Sequence, residues 1–294
     1  MKASLAVLSY PIILSIAATA ALSQNLPVTP ASDASAIEPA PSPELKADVT
    51  GITQPVTSLK QLPRYILEDQ GALWKSPFQM NRNNAKWWLL FGSLTGGLLA
   101  SDHWTAQQLS HSPGQVSLGT GLYQLGAGYT LYPASFGLYL LGNRTDNEHL
   151  SETGLLGLEA LANGFIVSTA LKAVFSRQRP LDGNGGGNFF SRGGGLSKMN
   201  ASFPSGHAIE SWALASIIAH EYPHPIYIPV LAYGGATGVL LGRFLAQKHF
   251  ASDVVLGAGI GWFIGHYVYD KHHDPGFESS KFKAFLSNHV DFGQ

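Results

Sequence analysis

Three clusters of polar residues interrupt long apolar stretches, and each has the composition to handle an anion. The first is Lys172-Ala-Val-Phe-Ser-Arg177-Gln-Arg179-Pro180. Lys172 and Arg179 are seven residues apart, about two helical turns, so a continuous helix would place them on one face. Pro180 biases Arg179 out of the α region and turns the chain. Two fixed cations make an oxyanion site, and an arginine presents a planar fork to phosphate oxygens. The second cluster is Phe203-Pro204-Ser205-Gly206-His207, opening a helical segment. Ser205 is a natural N-cap. The helix start offers free N–H groups to an anion, and Gly206 lets that anion approach the backbone. His207 then stands in the first turn, placed to give or take a proton. The third cluster runs from Gly242-Arg243 through Lys248-His249 to Ser252-Asp253. His249 and Asp253 are i and i+4 on one helix, where a carboxylate fixes the tautomer of an imidazole and raises its basicity. Arg243 adds a third cation. Taken singly, each cluster also fits ordinary structure: a capped helix end, an N-cap beside an incidental histidine, a surface His–Asp pair.

Composition narrows the chemistry. The 294 residues carry 18 Lys+Arg against 19 Asp+Glu, a net charge of −1, so no basic field exists to hold a nucleic acid. There is no cysteine, which excludes disulfides, thiolate metal sites, cysteine nucleophiles and a lipid-modified N-terminal cysteine. Catalysis falls to His, Asp, Ser, Lys and Arg. Only 13% of residues are charged, about half the usual share, and 45% are apolar, which points to a packed interior or a membrane.

The elements that must position these clusters are helices. Residues 1–23 read as a secretory signal peptide, with small residues for cleavage after Ala21 or Ser23. Residues 24–60, with six prolines, form a linker, and 61–83 a docking segment with a short helix. Six apolar segments follow, roughly 84–101, 118–141, 153–175, 206–221, 225–244 and 249–270. Each is too long for a strand and rich in Leu, Ala and Gly, so the domain over 84–271 is expected to be all-α, a six-helix core bundle. Pro133 is expected to kink or split the second segment. A loop with seven glycines between Gly183 and Gly195 separates the first two clusters. It is no dinucleotide fingerprint, since no strand precedes it. His220 and His224 are expected to cap helix carbonyls. His272 and His273, at the start of a C-terminal tail, 272–294, could touch a metal, but a solvated pair is the expectation.

Together and in this order the clusters resemble the type 2 phosphatidic acid phosphatase (PAP2) superfamily, which includes class A acid phosphatases and vanadium haloperoxidases. Its pattern, Lys-x6-Arg-Pro, Pro-Ser-Gly-His and Ser-Arg-x5-His-x3-Asp, is met by Lys172, Arg179 and Pro180, by Pro204 to His207, and by Arg243, His249 and Asp253. The spacers of 23 and 34 residues between the motifs are family-like. Gly242 departs from it, standing where the family usually has Ser. The resemblance implies a metal-independent phosphatase with no cofactor. His249 would be the nucleophile, Asp253 would hold its far nitrogen, and His207 would be the acid and base. Lys172, Arg179, Ser205, Gly206 and Arg243 would bind phosphate. The substrate would be a phosphorylated small molecule or a lipid or polyprenyl phosphate. Two alternatives stand beside it. The same site can hold vanadate as a haloperoxidase cofactor, though such chains are usually much longer, and the fold can serve a non-catalytic membrane or scaffold protein.

Compartment follows less directly. Membrane-embedded members carry six spans with the site commonly outside, which needs the first helix to start in the cytoplasm. A cleaved signal peptide would start it outside. The sequence therefore predicts an exported, periplasmic or extracytoplasmic enzyme held against a membrane by apolar helices, and leaves open whether they cross it. Phe189 and Phe190, in the glycine-rich loop, are expected to line the entrance to the site.

Overall fold

A computed structural model describes residues 58–76, 85–109, 112–182, 185–191 and 200–275. The expected signal peptide, nearly all of the linker, both ends of the glycine-rich loop and most of the C-terminal tail lie outside these. Eight α-helices and no strand occur among the described residues: α1 (Leu62–Lys75), α2 (Ala85–Gln108), α3 (Pro113–Gln124), α4 (Gly128–Arg144), α5 (Glu148–Phe175), α6 (Gly206–Glu221), α7 (Tyr227–Leu245) and α8 (Ala251–His272). The all-α expectation holds. The docking segment supplies α1, and the second apolar segment is two helices. The break between these falls at Leu125–Ala127, not at Pro133, which lies inside α4. At the break Gly126 packs against α7, where a side chain would run into Val239.

Local signals set the helix ends. Ser112 caps α3, accepting from the Gln115 N–H, with Pro113 at the first helical position. The Asn147 side chain caps α5 through the Leu150 N–H at 3.0 Å. Helix α6 is central and packs on α5, α7 and α8. A core of Leu155, Leu156, Ile209, Ile217, Ile264 and Val268 joins α5, α6 and α8, and Leu62, Tyr65 and Leu73 close it from α1. Gly257, Gly261 and Gly265 form one stripe on α8 at a spacing of four residues, and a Cβ on any of them would strike α6. That close approach brings the start of α8 against the start of α6, where two of the polar clusters lie.

Burial on α2 is inverted. Its buried residues are Thr95 and Asp102, while Trp87, Leu89, Leu90, Leu94 and Trp104 are each more than half exposed. Tyr129 and Leu141 on α4, and Tyr227, Val230 and Leu231 on α7, are also more than half exposed. Helices α5 and α7 are long and apolar enough to cross a membrane. His272 is not solvated as the sequence suggested. It is fully buried, with Nε2 3.1 Å from Asp69 and 3.4 Å from Glu159, because α8 runs on to this residue and α1 packs over it, with Tyr65 stacked on the imidazole at 4.5 Å. His220 does bond a carbonyl of its own helix, that of Ser216, at 2.6 Å.

Candidate active site

The three clusters meet at one end of the bundle, where α5 and α7 finish and α6 and α8 begin. Helix α5 stops at Phe175 because Ser176 turns left-handed, φ 44°, its N–H bonding the Lys172 carbonyl. Arg179 therefore lies beyond the helix, and the single-face arrangement suggested by the spacing does not form. The turn brings the two cations to the same place by another route. The Ser202 N–H bonds the Arg177 carbonyl at 2.8 Å, tying this segment to the approach to α6. On α6, a Cβ at Gly206 would lie 3.4 Å from the Lys172 ammonium nitrogen, so the bare glycine backbone is what faces that charge.

His249 is buried, and its hydrogen bonds define its tautomer. Its Nδ1 lies 2.6 Å from the Ser202 carbonyl oxygen. A carbonyl only accepts, so Nδ1 carries the proton and Nε2 keeps its lone pair. Arg243 Nη2 donates to Nε2 at 2.9 Å. Burial first, then Arg243, Lys172 and Arg179, hold His249 well below the usual histidine range, so it is neutral. The partner of Nδ1 is not the expected one. Asp253 Oδ2 stands 3.7 Å away, and that carboxylate instead accepts from the Ser202 hydroxyl and, at 2.8 Å, from the Phe250 N–H. Asp253 is the third residue of α8 and folds back on that helix start, so it acts on His249 through Ser202.

His207 is pushed down to about 3, by burial first and then by Arg243, His249, Lys172 and Arg179. The same cations thus act on both imidazoles. Tyr123, from α3, binds the group together: its ring meets His207 edge-on at 5.7 Å and lies under the Arg243 guanidinium at 4.6 Å. Ser205 has extended backbone but makes no side-chain cap, contrary to expectation. Its N–H goes to the Asp253 carbonyl at 3.1 Å, and its buried hydroxyl has no hydrogen-bond partner among the described residues.

Gly242 also has an explanation. A Cβ there would fall 2.7 Å from both the Gly119 carbonyl oxygen and the Tyr123 nitrogen. Helix α3 crosses α7 at this point, so the serine usual at this position does not fit.

Sequence reasoning missed the residue that braces the site, Arg177. Its Nη1 donates to Asp253 Oδ1 at 2.6 Å and to Ser252 Oγ at 2.9 Å. Its Nη2 donates to Asp102 Oδ2 at 2.8 Å, and Nε to the Gly187 carbonyl at 3.0 Å. Phe250 and Phe189 lie against the guanidinium at 4.2 and 4.8 Å. One buried cation therefore serves two buried carboxylates and ties α2 to the start of α8. Phe189 is occupied in this contact, whereas Phe190 is 71% exposed. A lone carboxylate in an apolar helix, Asp102, was the available signal. Nothing in the sequence marked Tyr123 or Ser202.

Residues 154–276 match the family model of the PAP2 superfamily. No curated protein matches the chain. Among solved structures it is similar to one described as the first transmembrane PAP2 type phosphatidylglycerolphosphate phosphatase from Bacillus subtilis, with 18% identity, covering 79% of this chain and all of that one, at a TM-score of 0.42.

Proposed function

We propose, from the match of residues 154–276 to the PAP2 superfamily model and from the site geometry, that the protein is a phosphatase that cleaves phosphate monoesters through a phosphohistidine on His249, and that its substrate is a lipid phosphate. One observation carries this: three cations from three segments, Lys172, Arg179 and Arg243, converge on an imidazole whose Nε2 lone pair is free of a proton.

In the first step the Nε2 lone pair of His249 attacks phosphorus and the bond to the substrate alkoxide breaks. Charge on the equatorial oxygens is met by Lys172, Arg179 and Arg243, by the Ser205 hydroxyl and by the Gly206 N–H. Arg243 releases Nε2 as it takes up phosphate. The proton stays on Nδ1, donated to the Ser202 carbonyl, and Asp253 stabilises the imidazolium through Ser202. His207 gives its proton to the leaving alkoxide, then takes one from water, whose oxygen attacks phosphorus and frees His249. The bound phosphate offsets the cations that depress His207, so the proton needed in the first half arrives with the substrate. Lys172, Arg179 and Arg243 supply the charge neutralisation, and no metal or other cofactor enters the reaction.

Two features favour a lipid. The exposed apolar faces of α2, α4 and α7 exceed what a water-soluble surface carries singly and suit membrane association. An apolar cleft lined by Leu125, Leu131, Ser211, Leu214, Ile218 and Val239 runs between α4, α6 and α7. Ser211 and Val239 lie one helical turn from His207 and Arg243, so an acyl chain in the cleft would leave its phosphate at the site. The test is purified full chain in detergent, assayed on a lipid phosphate in mixed micelles and on a soluble sugar phosphate. A kcat/KM at least about tenfold higher for the lipid is expected, and EDTA added to the assay should leave the rate unchanged. A preference for the sugar phosphate would refute the lipid assignment, and immediate loss of activity in EDTA would refute the metal-free mechanism.

A further inference from the structure

At the opposite end of the bundle, three helices bring together a second set of reactive side chains. Asp69 of α1, Glu159 of α5 and His272 of α8 are all fully buried. One ligand atom from each lies within 4.8 Å of the others. His272 Nε2 is 3.1 Å from Asp69 Oδ1 and 3.4 Å from Glu159 Oε1. Glu159 lies 13 residues before Lys172 on α5, about 20 Å along the helix, so this group takes no part in phosphoryl transfer.

From this geometry we infer a divalent transition-metal site, of the Zn²⁺ type, held by Asp69, Glu159 and His272. Charge is the first argument. Two carboxylates pressed together in a dry interior repel one another when both are ionised, and a divalent cation would hold both as ligands. Unmet bonding is the second. Neither oxygen of Glu159 has a hydrogen-bond partner among the described residues, although the side chain has no exposed surface. A buried carboxylate left unbonded is costly unless something else occupies it. Spacing is the third. Ligands about 2.0–2.1 Å from a tetrahedral ion stand about 3.3–3.4 Å from one another, close to the two separations from Nε2. The donor set, one imidazole and two carboxylates, suits Zn²⁺ or a neighbouring first-row ion rather than Ca²⁺ or Mg²⁺.

The surroundings hold the ligands in place as a metal site requires. Asn163 donates to Asp69 Oδ2 at 3.0 Å and is itself held by Gln70 at 2.7 Å, leaving Oδ1 for the cluster. Tyr65 fixes the plane of the His272 ring by stacking on it. The ion would clamp α1 onto α5 and α8. Being fully enclosed, it would leave only when α1 opens, so brief chelation in an activity assay would not remove it.

The test uses the tag-free full chain in detergent, expressed in metal-replete medium, with elemental analysis after gel filtration. About one equivalent of Zn²⁺ or a neighbouring ion is expected in the wild type, and none in Glu159→Gln. Prolonged dialysis against chelator should lower the Tm, and Zn²⁺ should restore it by at least about 5 °C. If Glu159→Gln fails to fold, cobalt loading of the stripped wild type decides the matter, a tetrahedral Co²⁺ absorption being expected. A wild type that holds no ion and shows no Tm response to Zn²⁺, Mn²⁺ or Fe²⁺ would overturn the proposal, leaving a carboxylate pair that shares a proton near Lys271. An ion bound equally by wild type and a folded Glu159→Gln would also overturn it, as would cobalt loading without the tetrahedral band.

Discussion

Replacing Gly242 by alanine tests how the site is built, because the cost can be followed from one atom to the catalytic group. The added Cβ would sit 2.7 Å from the Gly119 carbonyl oxygen, 2.7 Å from the Tyr123 nitrogen and 2.8 Å from Leu122 Cβ. Two of these are backbone atoms and cannot rotate away. Restoring a tight but tolerable contact of 3.4 Å moves α3 by about 0.7 Å. Overpacking of this kind costs about 1–3 kcal/mol, while alanine in a helix interior recovers about 1 kcal/mol over glycine. The net loss is about 0–2 kcal/mol, a fall in Tm of about 0–8 °C, so the variant folds. Tyr123 moves with α3, and Tyr123 is the ring under Arg243 and against His207. A displacement approaching 1 Å among catalytic groups can cost about 10²-fold, so kcat/KM should fall about 10–100-fold. Gly242→Ser should behave the same way although it supplies the hydroxyl usual at this position. Steady-state kinetics on a lipid phosphate and thermal unfolding in the same detergent read both effects. Wild-type kcat/KM in Gly242→Ala, with an unchanged or higher Tm, would refute the reasoning.

Arg177→Met leaves two buried carboxylates, Asp102 and Asp253, without their cation. Breaking a buried pair costs about 3–5 kcal/mol, so the Tm should fall by about 6–20 °C, and a fall under 2 °C would contradict the bracing role. Asp253→Asn should lower kcat by about 10²–10⁴ while leaving KM within a few-fold, as measured on a soluble phosphomonoester. The His207 imidazole, held at about 3 in the empty site, should titrate at higher pH when tungstate occupies the cation pocket, as read from its ring-proton NMR shift. Since the bound state then takes up a proton, tungstate affinity should rise as pH falls and be lost as pH rises through the bound-state value. An unmoved His207 titration would place the anion elsewhere.

The helical class was legible in the sequence because segments such as 206–221 are long, apolar and free of strand alternation. The polar clusters that the fold gathers at one end of the bundle were legible because all three occur together, in order and at family-like spacing. What the sequence hid depends on contacts between distant segments. The left-handed turn at Ser176 separates Lys172 from Arg179 on the helix, and no local residue preference announces a serine at positive φ. Asp253 does lie near His249, but not through the expected shared helix, since α8 begins only at Ala251, and the spacing cannot show that the Ser202 carbonyl, 47 residues earlier, is the nearer acceptor for the imidazole N–H. His272 reads as a solvated tail residue until α1, about 200 positions earlier, is packed over it. Gly242 reads as a missing hydroxyl until α3 is seen crossing the same point.

The most direct measurement of the central claim is trapping by rapid alkaline SDS quench with a ³²P-labelled substrate, followed by mass spectrometry of the acid-labile, alkali-stable phosphopeptide. The account predicts one phosphoryl group on His249 Nε2 in the wild type, accumulating in His207→Ala when the substrate's leaving group is good enough to depart without a proton, and none in His249→Ala. Full turnover by His249→Ala, or phosphate trapped on any residue other than His249, would contradict it.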